Sequence, residues 1–485
     1  MATGEAHYGR GGAEMSGGRS SQPSAVTGTD ARQTAPRSAP GCFRPAGARA
    51  RLLRRRTLPG PVTFWVTVAM MVLFVYASTA PTPLYRVYEA KWGFSATTLT
   101  AIFAIYVLFL LATLLVFGSL SDHVGRRPLI IAAVAVEAVA FVLFLAADGP
   151  GWLFAARALE GVAVGLTSTT LGAVLLDLRP RGTLAPLMSS NAPAAGLAAG
   201  AVVTSVLVQY APAPTRLTWW LLLGATAAGL ILAAVMPETG ARRPGALASL
   251  RPHLSVPRPA RGTFVRAAPA IVAVWALAGF YLSLGPSLTA QLTGSRNLVW
   301  GGVVVFLLTG VGTAASLAAR RIRPPAQMLG GCLTLAAGAG ITIAAIETGS
   351  STVLLLGTAI AGVGYGPAFT GAYRTVVALA PAGDRAGLIA AMFTLSYLAT
   401  GVGGLIAGFT TTHYGLHATA LVFSAVVTGL AAAAAATFLT GRGSRSAQPQ
   451  PAALPHPPPG PGTVPPHVPA THPATTQDDH GEDRA

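Results

Sequence analysis

The sequence reads GSLSDHVGRRPL at residues 118–129, and this polar stretch separates two long apolar runs, 97–118 and 128–147. Each run is long enough to cross a lipid bilayer as a helix, which takes about 20 residues. Gly118 and Gly125 permit a tight turn where a larger side chain would clash. We therefore predict two membrane helices joined by a short, structured turn.

The charged residues of this stretch predict a polar contact at the turn. Asp122 can lie at a helix N-terminus, where the helix dipole favours an anion. Arg126 and Arg127 can each donate paired hydrogen bonds to a carboxylate, and Asp177 is the nearest candidate acceptor in sequence terms. The alternative is that the arginines only mark one face of the membrane, which accounts for Arg127 but not for an acid between two glycines.

The composition excludes an ordinary soluble enzyme. Of the 485 residues, 52% are hydrophobic and 10% are charged, whereas soluble domains carry about 25% charged residues. The net charge is +17, but the basic residues lie between apolar runs. We therefore interpret the charge as a topology signal and predict no nucleic-acid partner. Cys42 and Cys332 lie far apart in the sequence, which gives no basis for a disulfide or a zinc site.

Twelve apolar segments follow one another along the chain, and each can cross a bilayer. They are 62–82, 97–118, 128–147, 152–176, 185–208, 217–236, 267–288, 297–319, 326–346, 351–379, 386–410 and 416–439. Only the sixth and seventh are separated by more than a short turn. This pattern predicts an all-α integral membrane protein with twelve transmembrane helices.

The loops and tails predict the organisation around these helices. Alternate short loops carry fourteen and four Lys or Arg residues, so the positive-inside rule predicts a plasma-membrane protein with both termini in the cytoplasm. The predicted parts are a disordered basic tail 1–58, a six-helix half 59–236, a cytoplasmic basic linker 237–266, a second six-helix half 267–440 and a disordered Pro- and His-rich tail 441–485.

An internal repeat supports the two halves. Residues 160–165 and 178–180 align with residues 361–366 and 379–381 at a constant offset of 201. This offset carries the fourth segment onto the tenth, as duplicated six-helix halves require, although chance matching of Gly and Ala is the alternative. Two such halves imply a cavity between them that opens alternately to each side.

With these features together, the sequence resembles the major facilitator superfamily, and most closely its bacterial twelve-helix drug and metabolite proton antiporters. Residues 118–129 match the family pattern G-x-L-x-D-x-x-G-R-[KR]. Residues 157–161 are similar to its R-x-x-Q-G element, and 237–239 reads Pro-Glu-Thr at the end of the sixth segment. The resemblance covers roughly residues 60–440. It implies the pseudo-symmetric major facilitator fold, small-molecule transport, and a proton gradient instead of a cofactor as the driving force.

The resemblance also implies that the charged turn is a conformational latch that holds the halves in the outward-facing state. Its predicted members are Gly118, Asp122, Gly125, Arg126, Arg127 and Asp177. The matching loop of the second half, at 320–324, lacks both the acid and the glycine. We therefore predict a complete latch in the first half only.

Charged residues within membrane spans are candidates for function, because burying a charge is costly unless it has a partner or water. Arg157 and Glu160 are three residues apart and so share one face of a helix. Burial disfavours the charged form of a carboxyl group and a neighbouring Arg favours it, so movement of the pair would switch protonation. We predict that Glu137, Arg157 and Glu160 couple transport to protons. The alternative is a permanent structural ion pair, shared with Glu137.

Several polar or aromatic residues are weaker candidates for a substrate cavity. They are Tyr76, Tyr106, Asn191, Pro193, Gly196, Tyr281, Gln291 and Arg374. For any one of them the alternative is packing, and Arg374 can instead extend to the cytoplasm. The fifth segment, 191–200, is similar to the G-P-x-x-G-G element of exporters in the family, but alanine replaces its first glycine. Residues 79–85, with two prolines, predict a rigid external turn.

These features predict a secondary active transporter that exports a small hydrophobic drug or metabolite in exchange for protons. One alternative is an importer or uniporter of a sugar or small metabolite on the same fold. The other is a transport-inactive membrane sensor or scaffold. The sequence contains no Walker motif and no paired catalytic carboxylates, so we predict no enzyme activity and no metal site. The predicted partners are the substrate, protons and the lipid bilayer, and we predict a monomer.

Overall fold

The computed structural model describes residues 57–178, 184–240, 243–252, 254–381 and 384–445, without the side chains of 186, 187, 190 and 440–445. Every regular element within these ranges is a helix. Almost all of the predicted N-terminal tail and most of the predicted C-terminal tail lie outside the described residues.

Ten helices are labelled here in the order of the predicted spans. They are α1 Gly60–Thr79, α2 Ala96–Phe117, α3 Arg126–Ala146, α4 Pro150–Asp177, α5 Leu184–Tyr210, α6 Leu217–Val235, α7 Arg258–Ser283, α8 Val299–Ala318, α9 Pro324–Thr348 and α10 Ser351–Val377. The last helix, Arg385–Arg445, is interrupted at Gly415, which has φ 83° and ψ 159°. We call residues 385–414 α11 and residues 416–445 α12.

The apolar helices confirm the predicted fold class. In the described part of the chain, 11 helices are long and apolar enough to cross a membrane. The last of them covers 55 residues, Arg385–Leu439, more than twice the length that one crossing needs. Because Gly415 interrupts it between two predicted segments, the chain provides the expected twelve spans.

The predicted external turn at residues 79–85 is wrong, because the chain forms a helix there. Only Ala80 separates α1 from the helix Pro81–Trp92, which we call the first connector helix. Proline is well suited to the first turn of a helix, since the N–H that it lacks would be unpaired there. A second connector helix, Gly285–Thr293, follows α7 in the same way. Each half therefore has a connector helix after its first span.

Two helices extend beyond their predicted limits. α7 begins at Arg258, inside the predicted linker 237–266, directly after Pro257. The backbone of α12 continues to Arg445, past the predicted boundary at residue 440. Apolar runs mark only the part of a helix that lies in the bilayer. The polar ends of the same helix are therefore not predicted from such runs.

The two ends of the bundle are named by their loops. The basic end carries the α2–α3, α4–α5, α6–α7, α8–α9 and α10–α11 loops, and the opposite end carries the others. A buried stack connects elements of the first half near the opposite end: the Trp219 ring of α6 lies 3.9 Å from that of Phe144, centroid to centroid. Its indole N–H donates to the Tyr88 hydroxyl of the first connector helix at 3.0 Å.

The first six and last six spans meet along two helix pairs, α2 with α11 and α5 with α8. Glycines allow close approach in both pairs. A Cβ atom at Gly408 of α11 would overlap the side chain of Thr100, and one at Gly302 of α8 would overlap that of Ser205. Small residues at such contacts are what membrane helices need to pack closely.

Polar contacts between the two halves lie at the opposite end. The hydroxyls of Thr97 and Thr412 are 2.9 Å apart. The backbone N–H of Leu298 donates to the Gln209 side chain at 2.9 Å, and the Asn297 amide donates to a tyrosine hydroxyl of α5 at 3.2 Å. The two halves are therefore in direct contact where their spans reach this end.

Candidate functional site

A buried ion pair lies in the interior of the first half. Arg157 and Glu160 of α4 are both 0% exposed, and Arg157 Nη1 lies 2.7 Å from Glu160 Oε2. Arg157 also donates to the carbonyl of Ser78 in α1 at 3.1 Å. The structure therefore joins the two residues as the sequence predicts, and it ties α4 to α1 through the same guanidinium.

Aromatic rings of α2 cover this ion pair. The Arg157 guanidinium carbon lies 4.0 Å from the ring centroid of Tyr106 and 5.9 Å from that of Phe103. A desolvated cation over an aromatic face is attracted to it by about 2 kcal/mol. Tyr106, which was predicted to line a substrate cavity, thus packs against the charged cluster.

Glu137 of α3 completes the cluster. It is 1% exposed, and within the described part of the chain neither of its carboxyl oxygens has a hydrogen-bond partner. It lies within electrostatic range of both Glu160 and Arg157. With every group ionised the cluster would hold two negative charges against one positive charge. An unpaired carboxylate in a buried site is far more costly than a neutral carboxyl group, so this geometry suits a Glu137 that carries a proton.

The predicted latch residues surround Arg126 at the basic end. Arg126 forms ion pairs with Asp122 and with Asp177, the latter from Nε to Oδ2 at 3.2 Å, and it also donates to the Ser121 hydroxyl. Gly125 has φ 111°, a conformation that L-residues rarely adopt. Glycine is required at position 125, because a Cβ atom there would also overlap the carboxylate of Glu238.

Gly118 lies at the end of α2, where a Cβ atom would overlap the carbonyl oxygen of Leu114, so a larger side chain would clash there as predicted. Its backbone angles are those of an ordinary helix, φ −57° and ψ −34°. The left-handed backbone conformation of the turn is therefore needed at Gly125 and not at Gly118.

Glu238 belongs to the same network and was not predicted. Its two carboxyl oxygens accept hydrogen bonds from the backbone N–H groups of Arg126 at 2.7 Å and Arg127 at 3.2 Å. A carboxylate at the first turn of α3 is favoured by the helix dipole. Among the described residues the Arg127 guanidinium binds the Ala234 carbonyl and no carboxylate, so the predicted contact of its side chain with a carboxylate is wrong. The Pro-Glu-Thr motif after the sixth segment was the signal for Glu238.

Among the described residues, the partners of this network all belong to the first half or to the segment that follows it. Thr239 donates to Asp177 Oδ2 at 3.2 Å, which ties the end of α6 to α4. The network therefore connects α3, α4 and the start of the linker. A latch between the two halves stays a prediction.

The second half has a different polar contact at the corresponding place. The offset of 201 carries Arg126 onto Gln327, whose amide donates to the Thr370 hydroxyl at 2.9 Å. Arg374 of α10 donates to Gln327 Oε1 at 3.0 Å and to the carbonyl of Arg320 at 3.2 Å. Arg374 is exposed at the basic end, as the alternative interpretation predicts, and it holds the α8–α9 loop.

The other cavity candidates are dispersed. Tyr76 accepts a hydrogen bond from Thr204 at 3.3 Å, and Gly196 is buried where a Cβ atom would overlap the α1 backbone. Tyr281 is 2% exposed and its hydroxyl is 3.0 Å from that of a threonine in α10. Gly196 and Tyr281 therefore serve packing.

Three predicted cavity residues lie elsewhere on these helices. Asn191 and Pro193 are partly buried residues of α5, and Pro193 lies in the interior of this helix. Gln291 is exposed on the second connector helix at the opposite end. Gln291 and Arg374 therefore lie at different ends of the bundle, and a substrate role for the remaining candidates stays a prediction.

A cluster of aromatic rings lies in the second half. Trp275 of α7 is 5.3 Å from both Phe369 of α10 and Tyr397 of α11, measured between ring centroids. Phe393 lies 6.1 Å from Tyr397. These side chains are partly exposed, and Tyr397 is within electrostatic range of Tyr106. The pairs 369/373 and 393/397, each spaced by four residues on a helix, were the sequence signal for this cluster.

Comparison with known proteins identifies the family. The family profile described as Major Facilitator Superfamily matches residues 62–341. The chain therefore belongs to the major facilitator superfamily and is a multi-pass membrane transporter.

Individual relatives are distant. The chain is 24% identical over 182 residues to the probable transporter AQR1 of Saccharomyces cerevisiae, a match that covers 36% of this chain and 31% of that protein. The matched segment thus spans about a third of the curated relative.

Two solved structures share the fold. The human organic anion transporter MFSD10 superposes with a TM-score of 0.58 at 18% identity over 78% of this chain and 100% of that one. A bacterial homologue of the human lysosomal transporter Spinster, inward-facing and occupied, superposes with a TM-score of 0.62 at 13% identity over 79% of this chain and 97% of that one.

Proposed function

We propose that this chain is a proton-coupled secondary transporter that exports a small, largely apolar drug or metabolite by alternating access. The observation that carries the proposal is the cluster of Glu137, Arg157 and Glu160 in the interior of the first half. The Arg157 guanidinium pairs with Glu160 there, and Glu137, within electrostatic range of both, has no hydrogen-bond partner within the described residues. Intramembrane acids of this kind are typical of proton pathways.

The coupling works through a change in the surroundings of Glu137. In the conformation described, the carboxyl group is buried and its proton is retained. When the helices move, water reaches the group and the proton can leave, and the Arg157 guanidinium then stabilises the carboxylate that remains. A proton gradient supplies the energy, and no cofactor is needed.

The conformation described suits the inward-facing half of such a cycle. The halves are in contact at the opposite end, through Thr97 with Thr412 and through Gln209 with Leu298. In the orientation that the loop charges predict, with both termini in the cytoplasm of the plasma membrane, this end faces outwards. A substrate site between the halves would then open to the cytoplasm, where an exporter loads.

The substrate preference follows from the aromatic cluster. Trp275, Phe369, Phe393 and Tyr397 supply apolar ring surface. Tyr397 lies within electrostatic range of Tyr106, which itself covers Arg157. Export is further supported by residues 191–200 of α5, which resemble the exporter element. We propose a monomer, because the helices of both halves pack against one another within a single chain.

Transport into and out of proteoliposomes tests the proposal. The purified full chain is reconstituted, and the movement of lipophilic cations, neutral antibiotics and sugars is followed with and without an imposed proton gradient. The variants are Glu137→Gln, Glu160→Gln and, as a matched control, Glu347→Gln, whose glutamate is exposed on α9.

For one of the apolar compounds we expect the gradient to drive accumulation at least tenfold in the wild type and in Glu347→Gln. Glu137→Gln should abolish this response while exchange of labelled for unlabelled compound continues. A wild-type flux that ignores the gradient would contradict proton coupling. Gradient-driven movement of sugars alone would contradict the proposed substrate class.

A further inference from the structure

A cavity of about 450 Å³ lies between the two halves at the opposite end. Its walls come from both connector helices, from the start of α2 and from the α11–α12 turn. The proposed proton site lies deeper, behind Tyr106, and no residue of that site lines this cavity. Ligand sites in proteins span about 300 to 1,000 Å³, so the volume suits a small organic molecule.

Two opposite charges face this cavity from the first connector helix. Arg86 and Glu89 are three residues apart, both are partly buried, and both line the cavity. They lie within electrostatic range of each other. Within the described residues, however, no ion pair shorter than 4.0 Å and no hydrogen bond joins either side chain to a partner. A cation and an anion held apart on one wall suit a ligand that itself carries both charges.

The remaining walls divide into a polar and an apolar part. Ser287 and Gln291 of the second connector helix supply a hydroxyl and an amide that can bind a carboxylate or an ammonium group. Leu99, Leu284 and Leu416 supply apolar surface. The ligand should therefore combine a zwitterionic head with an apolar tail.

We propose that this cavity binds an apolar α-amino acid. Its carboxylate pairs with Arg86, its ammonium group pairs with Glu89, and its side chain lies against the leucines. The first connector helix belongs to one half and the second to the other. The bound amino acid therefore connects the two halves at the opposite end of the bundle. It therefore favours the conformation described here over one in which this end is open.

Binding of three related probes to the purified full chain tests the site. The probes are L-leucine, 4-methylpentanoate, which lacks the ammonium group, and isopentylamine, which lacks the carboxylate. Equilibrium dialysis gives a Kd for each probe with the wild type and with Arg86→Gln and Glu89→Gln. Arg216→Gln is the matched control, because Arg216 is exposed in another loop of the same end. Glu137→Gln separates this site from the proposed proton site.

We expect L-leucine to bind at least tenfold more tightly than either half-ligand to the wild type, to Arg216→Gln and to Glu137→Gln. Arg86→Gln and Glu89→Gln should each weaken L-leucine binding at least tenfold. The wild-type comparison of the three probes stands even if a variant fails to fold. The proposal would be overturned by equal affinity for the three probes or by the absence of saturable L-leucine binding. It would also be overturned if Arg86→Gln left L-leucine binding unchanged, because the ligand would then bind at another site.

Discussion

Replacing each buried glutamate by glutamine, and comparing the free energies of unfolding, should show whether Glu137 is neutral and Glu160 ionised. Glu137 has no hydrogen-bond partner in the described part of the chain, whereas Glu160 accepts from the Arg157 guanidinium at 2.7 Å. If Glu137 is protonated, Glu137→Gln exchanges one neutral group for another of the same shape. If Glu160 is ionised, Glu160→Gln removes the counter-charge of a buried cation.

The expected magnitudes follow from these contacts. Glu137→Gln should change the free energy of unfolding by less than about 1 kcal/mol, because no hydrogen bond is lost. Glu160→Gln should cost about 3–5 kcal/mol, the usual effect of breaking a buried ion pair by removing one partner. The double variant should cost more than the sum of the two, because Glu137 can no longer ionise and pair with Arg157.

Reversible unfolding in mixed micelles with increasing SDS, followed by far-UV circular dichroism, gives these free energies. Glu347→Gln on the exposed face of α9 is the control and should match the wild type. A cost for Glu137→Gln as large as that for Glu160→Gln would show that Glu137 is ionised and paired. Strict additivity in the double variant would show that Glu137 does not interact with Arg157.

Three further variants test the packing, the contact between halves and the basic-end network. Gly161→Val should destabilise the protein by about 1–3 kcal/mol in the same SDS titration, since the new side chain would overlap the α2 backbone. Gly172→Val on the same helix meets open space and should cost under about 1 kcal/mol. Equal costs for the two variants would contradict the packing of α4 on α2. Thr97→Cys and Thr412→Cys are combined in a background without native cysteines, and a disulfide between them should stop transport until a reductant is added. Continued transport by the oxidised protein would contradict the need for the opposite end of the bundle to open. Glu238→Gln should lower the stability of α3 by about 0.3–1 kcal/mol, measured by amide hydrogen exchange over its first turn, and unchanged exchange would contradict the capping role.

The twelve spans could be predicted because the bilayer demands about 20 consecutive apolar residues for each crossing, whatever the helices pack against. The ion pair between Arg157 and Glu160 could be predicted for a similar reason, since a spacing of three fixes their relation on any α-helix. Neither inference needs knowledge of how one helix is rotated against another.

The remaining features depend on that rotation and on contacts distant in sequence. The unpartnered state of Glu137 follows from how α3 faces α4, and Tyr106 covers Arg157 because α2 packs across them. Arg127 contacts groups more than 100 residues away in the sequence: its guanidinium binds the Ala234 carbonyl and its backbone N–H donates to Glu238. The prolines of residues 79–85 favour a turn locally, but burial of this segment against neighbouring helices selects a connector helix.

Infrared spectroscopy of the protein in lipid tests the central claim most directly, because a protonated carboxyl group has a carbonyl stretch that an ionised one lacks. At mildly alkaline pH the exposed acids are ionised and Glu160 is paired with Arg157. We predict a protonated-carboxyl band in the wild type that is absent from Glu137→Gln and retained in Glu347→Gln. No such band in the wild type, or one that Glu137→Gln leaves unchanged, would contradict the proposal that Glu137 carries the proton.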